Sequence, residues 1–107
     1  GTIVTGTNQE NAAYPSGLCA ERTTLFYANS QYPDQPIKTL AIAARTEKDF
    51  IEKPIPPCGA CRQVILETAK RYGQPIRILL YGKECIYEVK SIGDLLPLSF
   101  DASAMEE

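Results

Sequence analysis

Five apolar residues in a row, Leu40-Ala41-Ile42-Ala43-Ala44, stand between proline breaks at Pro33 and Pro36 on one side and Pro54, Pro56 and Pro57 on the other. So short a run, with no polar side, reads as a strand within residues 37–44 that is buried on both faces. That reading constrains the rest of the chain, because a strand of this kind has to be covered by helices.

The flanking segments supply them. From about residue 19 to residue 30, Ala20, Thr24, Tyr27 and Ala28 recur at helical spacing, with Leu25 and Phe26 between them. A helix apolar nearly all round is expected to lie buried between layers. Tyr14, Phe26 and Tyr27 are accordingly expected in core or interface. A second helix is expected over residues 58–72, with Val64, Ile65, Ala69 and Tyr72 on one face and Gly73 as its C-cap. Strands are expected at 2–7, where Thr2-Ile3-Val4-Thr5 is rich in β-branched side chains, and at 76–81 and 85–89. A short helical turn is expected at 92–96. The first strand begins almost at residue 1, so its sheet partner has to come from elsewhere. Strand, helix, strand, helix, strand, strand is an α/β pattern in a three-layer arrangement.

A chain of 107 residues supports one modest core, so residues 1–107 are expected to form a single unit. Hydrophobic residues at 44% and charged residues at 22% are globular proportions, not those of a disordered chain. A net charge of -2 argues against nucleic acid as the main partner, because polyanion binding leaves a basic excess. No apolar run approaches the roughly 20 residues of a membrane-spanning helix. The absence of histidine is the sharpest exclusion. It removes Ser-His-Asp triads, Cys-His dyads, H-E-x-x-H zinc sites and facial-triad iron. Any metal has to be held by Cys, Asp or Glu. Any proton has to be moved by a carboxyl, Lys, Tyr or a thiol.

Four cysteines are present: Cys19, Cys58, Cys61 and Cys85. A disulfide scaffold would suit a small secreted chain, but no cleavable leader is visible and the aliphatic content can build a core unaided. A reducing, cytoplasmic setting is therefore expected, where a C-x-x-C spacing points to metal or redox chemistry. Cys19 opens the first helix after Pro15-Ser16-Gly17, and Cys58 and Cys61 open the second after Pro56-Pro57. One strand lies between, and a helix-strand-helix crossover brings both helix N-termini to one edge of a sheet. Three converging thiolates are the ligand number of a catalytic zinc with an open fourth position. Helix N-termini favour the thiolate form. Glu21, two residues after Cys19, would stand beside a zinc-bound water as a proton shuttle.

Plainer readings stand beside these. Cys85 would close a structural four-cysteine zinc site, or Cys58 and Cys61 would form a redox pair. Glu21 would simply favour the helix dipole, by roughly 0.3–1 kcal/mol. Neither a closed site nor a redox pair gives the Cys19-Ala20-Glu21 helix start a purpose. That favours the open site, with Cys85 an unreactive strand residue.

Cys19-Ala20-Glu21 followed by Pro57-Cys58-Gly59-Ala60-Cys61-Arg62-Gln63 resembles the cytidine deaminases, and more narrowly their homotetrameric zinc-dependent class, in which cysteine replaces the histidine of the H-x-E variant. The similarity extends to Asn8-Gln9-Glu10-Asn11-Ala12-Ala13-Tyr14 and to Leu95-Leu96-Pro97, and so covers essentially the whole chain. It implies a three-layer α/β/α fold with a mixed central sheet. It also implies one Zn²⁺ per chain on Cys19, Cys58 and Cys61, with Glu21 as the catalytic acid and base. The implied reaction is hydrolytic deamination of cytidine and 2'-deoxycytidine to uridine and 2'-deoxyuridine plus ammonia, in pyrimidine salvage. The alternative is a deaminase of another aminopyrimidine nucleoside, such as blasticidin S.

Asn8 and Glu10 match the positions that hold the sugar hydroxyls, a task that an amide and a carboxylate suit chemically. Zinc on three thiolates carries net negative charge. Arg22 and Arg62, next to Glu21 and Cys61, are assigned to balancing it, the plainer reading being a surface ion pair. The resemblance further implies a homotetramer whose neighbours complete each nucleoside site, with no nucleic-acid or membrane partner. Family members begin with a further helix and strand ahead of residues 2–7. The chain is therefore expected to be N-terminally incomplete, without that strand and without an aromatic residue that packs on the base.

Overall fold

In a computed structural model, which describes residues 1–105, helix α1 (Ala20–Gln31) leads into strand β1 (Thr39–Ala43). Helix α2 (Gly59–Tyr72) follows, then strands β2 (Arg77–Tyr81) and β3 (Ile86–Val89). Three single-turn 3₁₀ segments, Tyr14–Ser16, Ile92–Asp94 and Ala102–Met105, lie in the connections. The sheet order is β1-β2-β3. β1 and β2 are parallel, with Leu40 opposite Ile78, and α2 is the crossover that parallel pairing requires. β2 and β3 are antiparallel, with Ile78 opposite Val89. The result is an α/β fold on a mixed sheet.

Local sequence explains the helix limits. α2 follows Pro56-Pro57, with Cys58 as an extended N-cap, and stops at Gly73. Gly73 takes φ 67°, a left-handed conformation that glycine reaches without a Cβ clash, and its amide returns to the Ala69 and Lys70 carbonyls. Lys70 and Arg71 in the last turn complement the negative end of the helix dipole.

The core is one cluster: Leu25 from α1, Leu40 and Ile42 from β1, Ile65 and Leu66 from α2, Ile78 and Leu80 from β2, with Ile76 and Ile92. Burial alternates along β1, so Leu40 and Ile42 point inward while Thr39, Ala41 and Ala43 are exposed. This corrects the expectation that the apolar run is buried on both faces. Both helices place their buried side chains against the same sheet face. α1 likewise buries Leu25 alone, with Phe26 and Tyr27 46% and 54% exposed, and Tyr14 is exposed too. A run of alanines and leucines carries no information about how many of its sides will be covered. That depends on which elements arrive.

Residues 2–7 form no strand, and Ile3 is exposed. A groove of about 830 Å³ separates residues 1–6 from the edge of β1, floored by Ala20, Thr24 and Leu25 of α1. β-branched composition favours a strand only where a neighbouring strand offers hydrogen bonds, and here the adjacent space holds none. The first backbone pairing after it is the bridge between Gln9 and Leu18.

The loop from β1 to α2 is laced onto the β2–β3 turn. Lys83 donates its amide to the Ile51 carbonyl at 3.0 Å, and Glu84 to the Glu52 carbonyl at 2.9 Å. Phe50 packs edge-on against Tyr81, with ring centres 5.5 Å apart. This lacing sets where Pro56, Pro57 and Cys58 begin. Among the described residues no helix is long and apolar enough to cross a membrane.

Candidate metal centre

Cys19 and Cys58 are the N-caps of α1 and α2, both with extended backbone (φ -68°, ψ 155° and φ -67°, ψ 169°). At such a position the side chain turns back over the first helical turn. Cys61 lies three residues after Cys58, on the same helix face. The crossover through β1 sets the two helix starts side by side. Cys19 Sγ is 3.5 Å from Cys58 Sγ, and Cys58 Sγ is 3.3 Å from Cys61 Sγ. All three sulfurs lie within 4.8 Å of one another.

Chemistry tests whether this triangle suits a metal. Tetrahedral zinc with Zn–S of about 2.3 Å separates its sulfurs by roughly 3.8 Å, a little more than the 3.5 and 3.3 Å between neighbouring thiols and less than the 4.8 Å that bounds the group. Three sulfurs so placed would supply three of the four ligands of a tetrahedral zinc ion. Among the described residues Cys85 lies outside the group and is exposed. The four-cysteine alternative therefore lacks its fourth ligand here. The triangle is graded in depth: Cys61 is fully buried, Cys19 half-buried and Cys58 exposed.

The charges around the triangle differ from thiol to thiol. Burial pushes the Cys61 thiol well up, aided by the hydrogen bond with Cys58 and the negative charge of Glu21. Burial also acts to raise Cys58, but hydrogen bonds from the Cys61 and Ala60 amides and from the other two thiols outweigh it and hold that thiol below its usual value. These amides are the unpaired N–H groups of the α2 N-terminus, so the helix itself favours a thiolate at Cys58. The Arg22 guanidinium is raised by hydrogen bonds to Cys19 and Cys61. Its Nη2 stands 3.9 Å from Cys19 Sγ, and among the described residues its buried Nε has no hydrogen-bond partner.

The other residues singled out from sequence fall around the same point. Glu21 is in the first turn of α1, half-buried, with its carboxyl toward the Cys61 thiol. Asn8 Oδ1 accepts from the Ala20 amide at 2.8 Å and so supplies the cap that Cys19 lacks. Glu10 is exposed and follows Gln9, whose bridge to Leu18 fixes this part of the loop next to the residue before Cys19.

Arg62 is engaged away from the thiols. Its Nε donates to the Pro57 carbonyl and its Nη1 to the Leu95 carbonyl, each at 3.0 Å. Side chains on a helix lean toward its N-terminus, so Arg62 reaches back over Pro57. Gln63 Nε2 donates to the Phe100 carbonyl at 2.8 Å. Sequence reading assigned Gln63 no contact, since a bond to a distant carbonyl leaves no pattern in the chain.

The geometry has counterparts among known proteins. The profile of the cytidine and deoxycytidylate deaminase zinc-binding region matches residues 1–72. A cytidine deaminase of Halalkalibacterium halodurans is 35% identical over 107 residues, spanning all of this chain and 74% of that protein. One of Sporosarcina psychrophila is 51% identical over 100 residues, covering 94% of this chain and 67% of the relative. The crystal structure of cytidine deaminase from Burkholderia pseudomallei superposes with a TM-score of 0.73 at 36% identity, over 94% of this chain and 73% of that one. Sequence, fold and the paired cysteine helix starts thus agree, and the chain belongs to the cytidine and deoxycytidylate deaminase zinc-binding family.

Proposed function

We propose that this chain is a zinc-dependent deaminase that converts cytidine and 2'-deoxycytidine to uridine and 2'-deoxyuridine with release of ammonia. The observation that carries this reading is the triangle of thiols at two adjoining helix starts, with Glu21 beside it. In this reading Cys19, Cys58 and Cys61 hold one zinc ion. Bound there, zinc supplies a Lewis acid that lowers the pKa of water toward neutrality.

Glu21 would accept one proton from the water that attacks ring C4 and pass it to ring N3, then take the second from the new C4 hydroxyl and pass it to the amine, which leaves as ammonia. Its place in the first turn of α1 holds the carboxyl close to the thiols without making it a ligand. Arg22, hydrogen-bonded to Cys19, offsets the negative charge of three thiolates. Asn8 and Glu10 hold the sugar hydroxyls. The Asn8 Oδ1 is committed to Ala20, which leaves its amide N–H groups to donate, while the exposed Glu10 carboxylate accepts.

The reading extends to a cytoplasmic homotetramer acting in pyrimidine salvage. Phe26 and Tyr27 on α1, with Leu98 and Phe100, are exposed apolar side chains suited to subunit contacts. Leu25 belongs to the core instead.

Metal content and an absorbance assay test the proposal together. One zinc per chain, with loss of cytosine absorbance and ammonia release on cytidine addition, is the expected result. Zinc bound at that ratio without turnover of cytidine or deoxycytidine would refute it. Light scattering at micromolar concentration tests the tetramer, and a fully active monomer would refute shared sites.

A further inference from the structure

We propose that Arg62 is a positioning residue for the metal centre, fixing the peptide that presents Cys58 by bridging it to the chain beyond the Ile92–Asp94 turn. The proposal rests on the reading of the three thiols as a zinc site. Its geometric basis is the guanidinium fork, which gives one N–H to the Pro57 carbonyl and another to the Leu95 carbonyl, both at 3.0 Å. Among the described residues no backbone amide bonds either carbonyl.

The Pro57 carbonyl belongs to the peptide plane that joins Pro57 to Cys58. The proline ring restricts its own φ, but ψ of Pro57 and φ of Cys58 stay free to rotate that plane. A change in either dihedral that the other does not compensate moves Cys58 relative to Cys19 and Cys61. A hydrogen bond to the carbonyl sets the direction of the plane and removes that freedom. Cys58 needs such support more than its partners do, because it is exposed while Cys61 is enclosed on all sides and Cys19 in part.

The second arm anchors the first. Leu95 is the C-cap of the Ile92–Asp94 turn, and Ile92 is buried in the core. The Leu95 carbonyl is a terminal carbonyl of this turn, which needs a donor from outside it. Arg62 therefore ties an exposed ligand to a packed element of the fold. The neighbouring bond from Gln63 to the Phe100 carbonyl continues the same seam.

Bridging distinguishes this role from charge balancing. Lysine keeps the positive charge but has a single ammonium and no planar fork, so it cannot hold both carbonyls in fixed directions. The experiment measures the rate at which the full zinc-loaded chain surrenders zinc to a chromophoric chelator. Parent, Arg62→Lys, Arg62→Gln and the surface control Arg77→Lys are compared, each after its zinc content has been determined. Zinc-free thermal midpoints of the same four chains are recorded in chelator.

The expected result is release about 10–100-fold faster for both Arg62 variants, the range typical of losing an outer-shell partner. The zinc-free midpoint of Arg62→Lys should stay within a few degrees of the parent, and Arg77→Lys should match the parent in both measurements. Parental release from Arg62→Lys would overturn the proposal in favour of charge alone. Unchanged release with a lowered zinc-free midpoint would overturn it in favour of a purely structural role. Should Arg62→Gln fail to fold, the Arg62→Lys comparison decides. A parent chain that takes up no zinc would instead overturn the metal reading itself.

Discussion

Replacing Gly82 by alanine should destabilise this protein although the change adds a single methyl group. A Cβ at that position would lie 2.6 Å from the Glu52 carbonyl oxygen, 2.6 Å from the Pro54 nitrogen and 2.7 Å from Pro54 Cδ. Comfortable carbon contacts begin near 3.5 Å, so the opposing atoms have to retreat by about 0.8–0.9 Å. All three belong to backbone or a proline ring, and none can turn aside as a flexible side chain would. Gly82 has no positive φ, so the cost is steric and not conformational.

Retreat of the loop strains the bonds from Lys83 and Glu84 to Ile51 and Glu52. Overpacking of this kind costs about 1–3 kcal/mol. For a domain of about 100 residues each kcal/mol lowers the thermal midpoint by about 4–8 °C, so the fall should be roughly 5–20 °C. The assay is thermal unfolding followed by circular dichroism in chelator, which separates the fold from metal binding. Gly59→Ala is the matched control, because nothing lies within 4 Å of its added Cβ and alanine favours a helix. Its midpoint should hold or rise. A Gly82→Ala midpoint within 2 °C of the parent would refute the reasoning, since the loop would then move at no cost.

Glu21→Gln should keep zinc and the thermal midpoint while turnover of cytidine falls by roughly 10²–10⁴-fold, the share typical of a general acid–base group; activity within a few-fold of the parent would remove Glu21 from that role. Cys19→Ala, Cys58→Ala and Cys61→Ala should each lose zinc in a metal assay, and Cys85→Ala should retain it. Asp101 adds a pH dependence: the Lys70 ammonium, then the Ser103 hydroxyl and amide, hold its carboxyl at about 2, below its usual 3.8. A depressed folded-state value contributes stability that is fully present above the unfolded value and lost as pH falls through the folded one. Acid titration of stability should therefore show a loss between about pH 4 and pH 2 that is smaller in Asp101→Asn.

Elements bounded by local chemistry were legible in the residues. α2 starts after Pro56-Pro57 and ends at Gly73, as its breakers dictate, and β2 and β3 fall within one residue of their expected limits. The Cys19-Ala20-Glu21 and Cys58-Gly59-Ala60-Cys61 motifs are local too. One crossover was enough to foresee that the helix starts meet. The absence of histidine confined any metal to thiols and carboxylates before any coordinate was known.

Tertiary structure alone decided what depends on neighbours. Residues 2–7 have strand composition, but a strand is a pairing, and a groove stands where the partner would be. Leu40 to Ala44 are apolar on both sides, yet burial is granted by whatever packs against them, and both helices pack on one face. Arg62 adjoins Cys61 in sequence, but helical geometry turns its guanidinium back to Pro57 and across to Leu95. Gly82 looks like any turn glycine until the loop at Glu52 and Pro54 closes on it. Periodicity and breakers act through bonds within a few residues. Coverage, pairing and close approach are set between segments distant along the chain, so no residue carries them by itself.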